Sequence, residues 1–172
     1  TVRKRLRDIV QQQRLRFDKY LLPIAGKCIG LIEGNHEADM RKYHNLDHHG
    51  FMCEELGVPD LTTEAFIKIK FKTGRRVKII GLVIVHGHVG GRSQGSEPNK
   101  LADLHKMFVA DIMLRGHTHQ FCINPTLVRL GVSHNTTTPQ DEPVEYKTYT
   151  ANWGTWVKSY ARGASTYTSK AL

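Results

Sequence analysis

Three short apolar runs stand out in the chain, and each ends in a polar segment that carries histidine. The runs cover residues 27–32, 77–85 and 111–114, and they lead into Glu-Gly-Asn-His-Glu, His-Gly-His and Arg-Gly-His-Thr-His. Short apolar runs bounded by turn residues predict buried strands. Because ligands of open α/β sheets bind beyond the carboxyl ends of the strands, we expect these polar segments to gather at one edge of a sheet.

Helical periodicity fills the stretches between these runs. Residues 2–22 are predicted to form an amphipathic helix that Pro23 and Gly26 end, residues 38–56 a helix interrupted at Gly50, and another helix begins near Asn99. Residues 64–70 and 77–85 are predicted to pair as a hairpin, and the chain from Gln120 onward to form several short strands. Strands that alternate with helices predict a layered α/β fold.

Composition narrows the class of protein. The 172 residues fit one domain over residues 1–172, and 25 Lys+Arg against 16 Asp+Glu give a net charge of +9, which is compatible with a polyanionic partner. The longest apolar stretch, Ile79 to Val85, is far shorter than the ~20 residues of a membrane-spanning helix, so no membrane partner is expected.

The cysteines indicate a reducing compartment. Cys28, Cys53 and Cys122 are odd in number, far apart and without C-x-x-C spacing. This pattern argues against a disulfide framework and against a thiolate zinc site, and a cytoplasmic location is therefore expected.

The residues that follow the apolar runs have the chemistry of metal ligands. Asn35 and His36, then His86, then His117 and His119 all lie just past predicted strands, where distant parts of a chain can converge. Neutral imidazole and carbonyl oxygen suit divalent Zn, Mn or Fe. The pattern therefore predicts a metal site at this edge.

At these residues the chain resembles the calcineurin-like metallophosphoesterases. The matching motifs are Gly-Asn-His-Glu at 34–37, the strand-end His86, and Gly-His-Thr-His at 116–119, in that family's order. The resemblance spans residues 1 to about 130, and the tail from Trp153 to Tyr167 loosely resembles small phosphoesterases of phages and bacteria. It implies a layered α-β-β-α sandwich.

The resemblance also implies an activity and a role for each matching residue. It implies a hydrolase that uses two divalent metal ions (Mn, Fe or Zn) to cleave a phosphomonoester or phosphodiester, in a phosphorylated small molecule or a nucleic acid. Asn35, His86 and His117 would bind one metal and His119 the other, while His36 would be the catalytic residue facing the substrate.

The segment 87–93, rich in glycine, leaves two interpretations open. It is predicted either to cradle a phosphate, with Arg92 as a substrate-binding charge, or to be a flexible loop.

The chain departs from that family upstream of Gly34. The D-x-H and G-D-x-x-D motifs of the family are absent there, and Asp103-Leu104-His105 matches the first motif only within a predicted helix. We therefore expect a natural protein that is longer before residue 1, and an impaired activity for this chain. The competing hypothesis is a nucleic-acid- or protein-binding module that keeps the fold and has lost catalysis.

A second histidine pattern follows the Gly-Asn-His-Glu motif. His44 and His48 have the i, i+4 spacing that can bind zinc, and His49 lies beside them. Since no carboxylate or third ligand is patterned with this pair, a hydrated helix face is the favoured interpretation.

Overall fold

In a computed structural model of the protein, residues 2–87, 96–131 and 144–154 are described. The chain divides into two compact units, Thr1–Glu64 and Ala65–Leu172, called here the first and the second unit. Helices and a six-stranded sheet of parallel and antiparallel pairs confirm the mixed α/β class. The single domain expected over residues 1–172 stays a prediction.

The first unit is built mainly of helices. They are α1 (Val2–Leu21), a 3-10 helix (Leu22–Lys27), α2 (Asn35–His44) and α3 (His48–Leu56). The helix predicted at the start of the chain is thus confirmed, but Ile9, Phe17 and Tyr20 of its predicted apolar face are 53%, 49% and 79% exposed. Pro23 lies in the first turn of the 3-10 helix, where its missing N–H leaves no hydrogen bond unmade.

The second predicted helix is broken at a different residue from the one expected. Asn45 adopts a left-handed conformation with φ of 52° and ends α2, and Asp47 caps α3 by accepting a 2.8 Å hydrogen bond from the Gly50 amide. Gly50 therefore lies inside the first turn of α3, because a capping carboxylate and not a glycine sets the boundary.

The strand predicted over residues 27–32 is wrong. Only Leu31 forms a bridge, parallel to Asp60, with backbone hydrogen bonds from the Leu31 amide to the Pro59 carbonyl (3.0 Å) and from the Leu61 amide to the Leu31 carbonyl (2.9 Å). The apolar run instead packs on the core of this unit, which Cys53, Leu56 and Val58 form. Only Cys28 and Leu31 of the run pack there, while Ile29 is 54% exposed, so a short apolar run does not by itself specify a buried strand.

The second unit is organised around the sheet. Its strands are β1 (Glu64–Thr73), β2 (Arg76–Val85), β3 (Ile112–Arg115), β4 (Phe121–Ile123), β5 (Leu127–Gly131) and β6 (Val144–Trp153), and their order is β1-β2-β3-β6-β4, with β5 paired to β6. β2, β3 and β6 run parallel to one another, while β4 and β5 are antiparallel to β6. The predicted hairpin is confirmed. The described residues after Gln120 form β4, β5 and the ten-residue β6, and the remainder of that predicted stretch lies outside the described residues.

Helix α4 (Ser96–Met107) forms the core of the second unit with the central strands. Leu101 and Leu104 of the helix pack with Val83, Val85 and Met113, and Leu101 and Met113 are fully buried. Asp103 and His105 lie within α4, as expected for a chance match to the D-x-H motif. Within the described ranges, none of the helices combines the length and apolar composition needed to cross a bilayer.

Candidate functional site

Two of the predicted histidine segments lie at one edge of the sheet in the second unit. The register of the parallel strands aligns Val85 with Arg115 and Arg115 with Asn152, so β2, β3 and β6 end side by side. His86 follows β2 directly, and the Gly-His-Thr-His segment follows β3. For these two segments, the predicted placement at the carboxyl ends of the strands is confirmed.

His86 and His117 come together at this edge. Nδ1 of His117 lies 3.3 Å from Nε2 of His86, and the two rings meet edge to face with centroids 5.2 Å apart. The two residues are 31 positions apart in the chain and both are half-buried. The fold thus presents two imidazole nitrogens at one point.

The backbone around these rings adopts an uncommon conformation. His117 and His119 have φ of 77° and 59°, in the left-handed region that disfavours side chains with a Cβ. Gly87, next to His86, has φ of 83°, and a Cβ there would lie 2.7 Å from Nε of Arg115. Strained residues of this kind are concentrated at functional sites, because the surrounding structure holds them in place.

A buried polar network lies directly beneath the Gly-His-Thr-His segment and holds it. Asn152, which is fully buried, donates from Nδ2 to Thr118 Oγ1 at 2.7 Å and to Glu97 Oε2 at 2.8 Å. Glu97 also pairs with Arg115 at 3.4 Å and with Lys100 at 3.3 Å. Since Thr118 stands between the two histidines, this network fixes the loop that carries them.

The network keeps Glu97 ionised. Burial opposes the charge and raises the pKa of this carboxyl, but hydrogen bonds from Thr118, Asn152 and Lys100, with the positive charge of Arg115, together hold the pKa below its ordinary value. The histidine loop therefore rests on a buried negative charge that its neighbours satisfy. Sequence reasoning missed Glu97 and Asn152, since neither belongs to a histidine motif.

Asn35 and His36 lie in the first unit, at the amino end of α2. Glu33, just before these residues, is held by two contacts that set their position. Its buried carboxylate accepts two hydrogen bonds of 3.1 and 2.6 Å from the Arg41 guanidinium, and its amide donates a 2.7 Å hydrogen bond to the Thr62 carbonyl. Asn35 is half-buried and His36 is exposed. Their convergence with His86 and His117 stays a prediction.

Two further predicted residues have different outcomes. His119 is half-buried and lies two positions beyond His117 on the same loop, and its role as a ligand stays a prediction. Arg92, with most of the proposed phosphate-cradling segment, lies outside the described residues, as does the tail beyond Gly154.

The first unit contains a ligand cluster that sequence reasoning did not identify. His49, Cys53 and Asp60 offer donor atoms that all lie within 4.8 Å of one another. Burial, followed by the negative charges of Asp60 and Asp47, raises the pKa of the Cys53 thiol to about 11, so the thiol is protonated and a poor nucleophile at neutral pH. The i, i+4 spacing of His49 and Cys53 is the sequence signal that could have indicated this cluster.

The i, i+4 pair considered from the sequence, His44 and His48, belongs to two different helices. His44 ends α2 and His48 begins α3, with the left-handed Asn45 between them. The helical spacing argument therefore does not apply to these two residues.

A hollow of about 430 Å³ lies elsewhere on the second unit, towards the amino ends of β2 and β3. It is lined by residues that include Lys78, Asp111, Glu145 and Lys147, which mix both signs of charge. None of the predicted site residues lines it. The histidine pair and this hollow are therefore separate features of the described part of the second unit.

Comparison with known proteins adds no assignment: no protein-family model, no curated protein and no solved structure matches the chain.

Proposed function

We propose that the protein is a metal-dependent phosphoesterase of the calcineurin-like type, with the layered α-β-β-α sandwich that this resemblance implies. The observation that supports it is the 3.3 Å approach of His117 Nδ1 to His86 Nε2 at the carboxyl ends of two parallel strands. The two residues belong to separate motifs of the resemblance, and the fold brings their ring nitrogens together.

The donor set fits a divalent cation. Two nitrogens bound to one tetrahedral cation at about 2.0–2.1 Å stand roughly 3.3 Å apart, which is the separation of this pair. His86 and His117 would therefore hold one ion of the pair of divalent ions (Mn, Fe or Zn), and His119 would contribute to the other. Bound cations lower the pKa of water and neutralise phosphoryl charge, which is the chemistry needed for ester hydrolysis.

The protein's own contribution to this reaction is the rigid placement of ligands. Asn152 and Glu97 hold Thr118, and Thr118 lies between His117 and His119, so neither ring is free to shift with its loop. Hydrogen bonds from residues that orient metal ligands without binding the metal are worth about 10–100-fold in metal affinity or activity. The role that the resemblance gives to His36 as the catalytic residue is tested by substitution below, and the role of Asn35 as a ligand stays a prediction.

The β1–β2 hairpin supports a nucleic-acid phosphodiester as the substrate. Six exposed cations lie between positions 68 and 78, namely Lys68, Lys70, Lys72, Arg75, Arg76 and Lys78, and no acidic residue lies between Ala65 and Val85. A cationic stripe of this kind attracts phosphate backbones independently of base sequence. We therefore propose nucleic acid over a phosphorylated small molecule.

The activity is tested with bis-p-nitrophenyl phosphate and Mn²⁺. We expect hydrolysis that chelation abolishes and that His117→Ala and His36→Ala each lower by about 100-fold or more, because one loses a ligand and the other the catalytic ring. His44→Ala is the matched control, since His44 is an exposed histidine at the end of α2, and it should keep the parent rate. Equal rates for His117→Ala and the parent would contradict the proposal.

The substrate class is tested with the hairpin. Replacing Lys68, Lys70 and Lys72 by alanine should slow cleavage of a single-stranded oligonucleotide and flatten its salt dependence, while hydrolysis of bis-p-nitrophenyl phosphate stays unchanged. If both substrates respond equally, the hairpin does not select the substrate.

The same hairpin favours a second candidate function, a nucleic-acid-binding module without catalysis. Salt-dependent oligonucleotide binding that the triple lysine variant weakens, together with no metal-dependent hydrolysis of either substrate, would support this function over the phosphoesterase.

A further inference from the structure

We propose that His49, Cys53 and Asp60 form a zinc-binding site in the first unit, which is additional to the phosphoesterase site proposed above. The three side chains come from α3 and the segment that follows it, and none of them belongs to the motifs shared with the metallophosphoesterases.

The distances match those between ligands on one tetrahedral zinc. Zinc binds thiolate at about 2.3 Å and imidazole or carboxylate at about 2.0–2.2 Å, so the sulfur and nitrogen donors stand about 3.6 Å apart and the nitrogen and oxygen donors about 3.3 Å apart. Sγ of Cys53 lies 3.6 Å from Nε2 of His49, and that nitrogen lies 3.0 Å from Oδ1 of Asp60. An ion can enter this cluster with small side-chain rotations.

The backbone holds the three side chains in place before any ion binds. His49 and Cys53 are one turn apart on the same face of α3. Gly57 ends the helix in a left-handed conformation, with φ of 64°, and the bridge between Leu31 and Asp60 fixes the returning segment. Asp60 is oriented further by the 2.7 Å hydrogen bond that its Oδ1 accepts from the Thr62 amide. A preorganised donor set of this kind lowers the cost of binding a metal.

The donor chemistry favours zinc over magnesium and calcium. Thiolate and imidazole together suit zinc, whereas magnesium and calcium require oxygen ligands. His49 and Cys53 are buried, while the Asp60 side chain is 46% exposed, so an ion reaches the cluster from the Asp60 side and keeps a solvent-facing position there. On binding, the Cys53 thiol releases its proton to solvent.

Cys28 provides a built-in control. It packs against the same apolar core as Cys53, but its thiol donates to the Gly30 carbonyl at 3.4 Å, and it is not one of the three grouped ligands among the described residues. Cys28→Ser therefore removes a neighbouring thiol without removing a proposed ligand.

The experiment is titration of the full chain with Co²⁺ as a spectroscopic substitute for zinc. We expect a thiolate-to-cobalt charge-transfer band in the near ultraviolet at one equivalent, reversed by added Zn²⁺. Cys53→Ser should abolish the band, and Cys28→Ser and Cys122→Ser should keep it. The proposal is overturned if the parent shows no band, or if Cys28→Ser loses the band while Cys53→Ser keeps it. In either case His49 and Asp60 form a simple ion pair.

A second variant guards against a fold defect in Cys53→Ser. Asp60→Asn keeps the oxygen that accepts from Thr62 and lies at an exposed position, so the fold should be preserved while the cobalt affinity falls by at least about tenfold. An unchanged affinity in Asp60→Asn would contradict the role of Asp60 as a ligand.

The band also separates this site from the proposed phosphoesterase site, whose expected ligands include no thiolate. We expect His117→Ala to keep the charge-transfer band, and Cys53→Ser to keep Mn²⁺-dependent hydrolysis at the parent rate. Loss of the band in His117→Ala would count against a separate site.

Discussion

Glu97 in the second unit and Asp18 in the first are carboxylates with almost the same burial, at 1% and 2% exposure, and opposite surroundings. Glu97 accepts from Asn152 at 2.8 Å and pairs with Arg115 and Lys100. Among the described residues, neither oxygen of Asp18 has a hydrogen-bond partner. The nearest cation is Arg14, whose Nε lies 3.9 Å from Oδ2 of Asp18. The Nη1 atom of Arg14 instead pairs with Glu55 Oε2 at 3.3 Å.

The pKa values of the two groups move in opposite directions for this reason. Burial and the charge of Glu55 raise the pKa of Asp18 more than Arg14 lowers it, whereas the donors around Glu97 outweigh its burial and lower its pKa. The comparison teaches that burial alone does not decide the charge state of an interior carboxyl group. The number of donors aimed at it does.

The largest expected effect comes from removing the satisfied carboxylate. Glu97→Ala removes the buried carboxylate that accepts a hydrogen bond from Asn152 and pairs with the buried guanidinium of Arg115, and it should lower the free energy of unfolding by about 3–5 kcal/mol. Urea denaturation followed by tryptophan fluorescence measures this. Glu145→Ala, at an exposed ion pair with Lys147, is the control and should change the stability by less than about 0.5 kcal/mol.

A smaller loss is expected at a third buried carboxylate, Glu33. Arg41→Ala removes its two-hydrogen-bond partner, but the Arg41 side chain is 54% exposed, so water reaches the vacated position and the loss should be smaller than that of Glu97→Ala. Urea denaturation of both variants checks the order. If Arg41→Ala lowers the free energy of unfolding more than Glu97→Ala does, the exposure of the partner does not decide the cost of removing it.

Removing the unsatisfied charge should stabilise the protein. Asp18→Asn keeps the shape of the side chain and removes a buried anion without donors, so the free energy of unfolding should rise by about 1 kcal/mol. Asp8→Asn, at an exposed position of the same helix, is the matched control and should leave stability unchanged. A loss of stability in Asp18→Asn would show that the attraction between Asp18 and Arg14 outweighs the cost of burying the charge.

The smallest effect is the difference in pH dependence. Because the folded pKa of Glu97 is lowered, its contribution to stability is present above the ordinary value of 4.5 and is lost as the pH falls through the folded pKa. The folded pKa of Asp18 is raised, so stability rises as the pH falls through that pKa towards the ordinary value of 3.8. The advantage of Asp18→Asn over the parent should therefore shrink between neutral pH and about pH 4, as measured by urea denaturation at each pH.

Sequence patterns predicted the parts of the fold that local periodicity determines. The helix over residues 2–22, the hairpin around Thr73-Gly74 and the strand before His86 follow from residue spacing, and all three are present. The approach of His86 to His117 was predictable as well, because parallel strands bring their carboxyl ends to one edge.

Features that depend on turns and on long-range packing were not predictable. The break at Asn45 and the return of Asp60 to His49 each require a left-handed residue, Asn45 or Gly57, whose effect on chain direction periodicity does not reveal. The support of the histidine loop by Glu97 joins residues 55 positions apart, Glu97 and Asn152, through side chains with no motif in common. Such pairings follow from tertiary packing alone.

The left-handed backbone of His117 and His119 has a consequence for protein engineering. Glycine is the residue that best tolerates these dihedral angles, so selection of a mutant library for thermal resistance alone should enrich glycine at both positions. Such variants would melt later and carry no imidazole. A screen intended to improve this protein therefore has to score turnover or metal uptake together with heat tolerance.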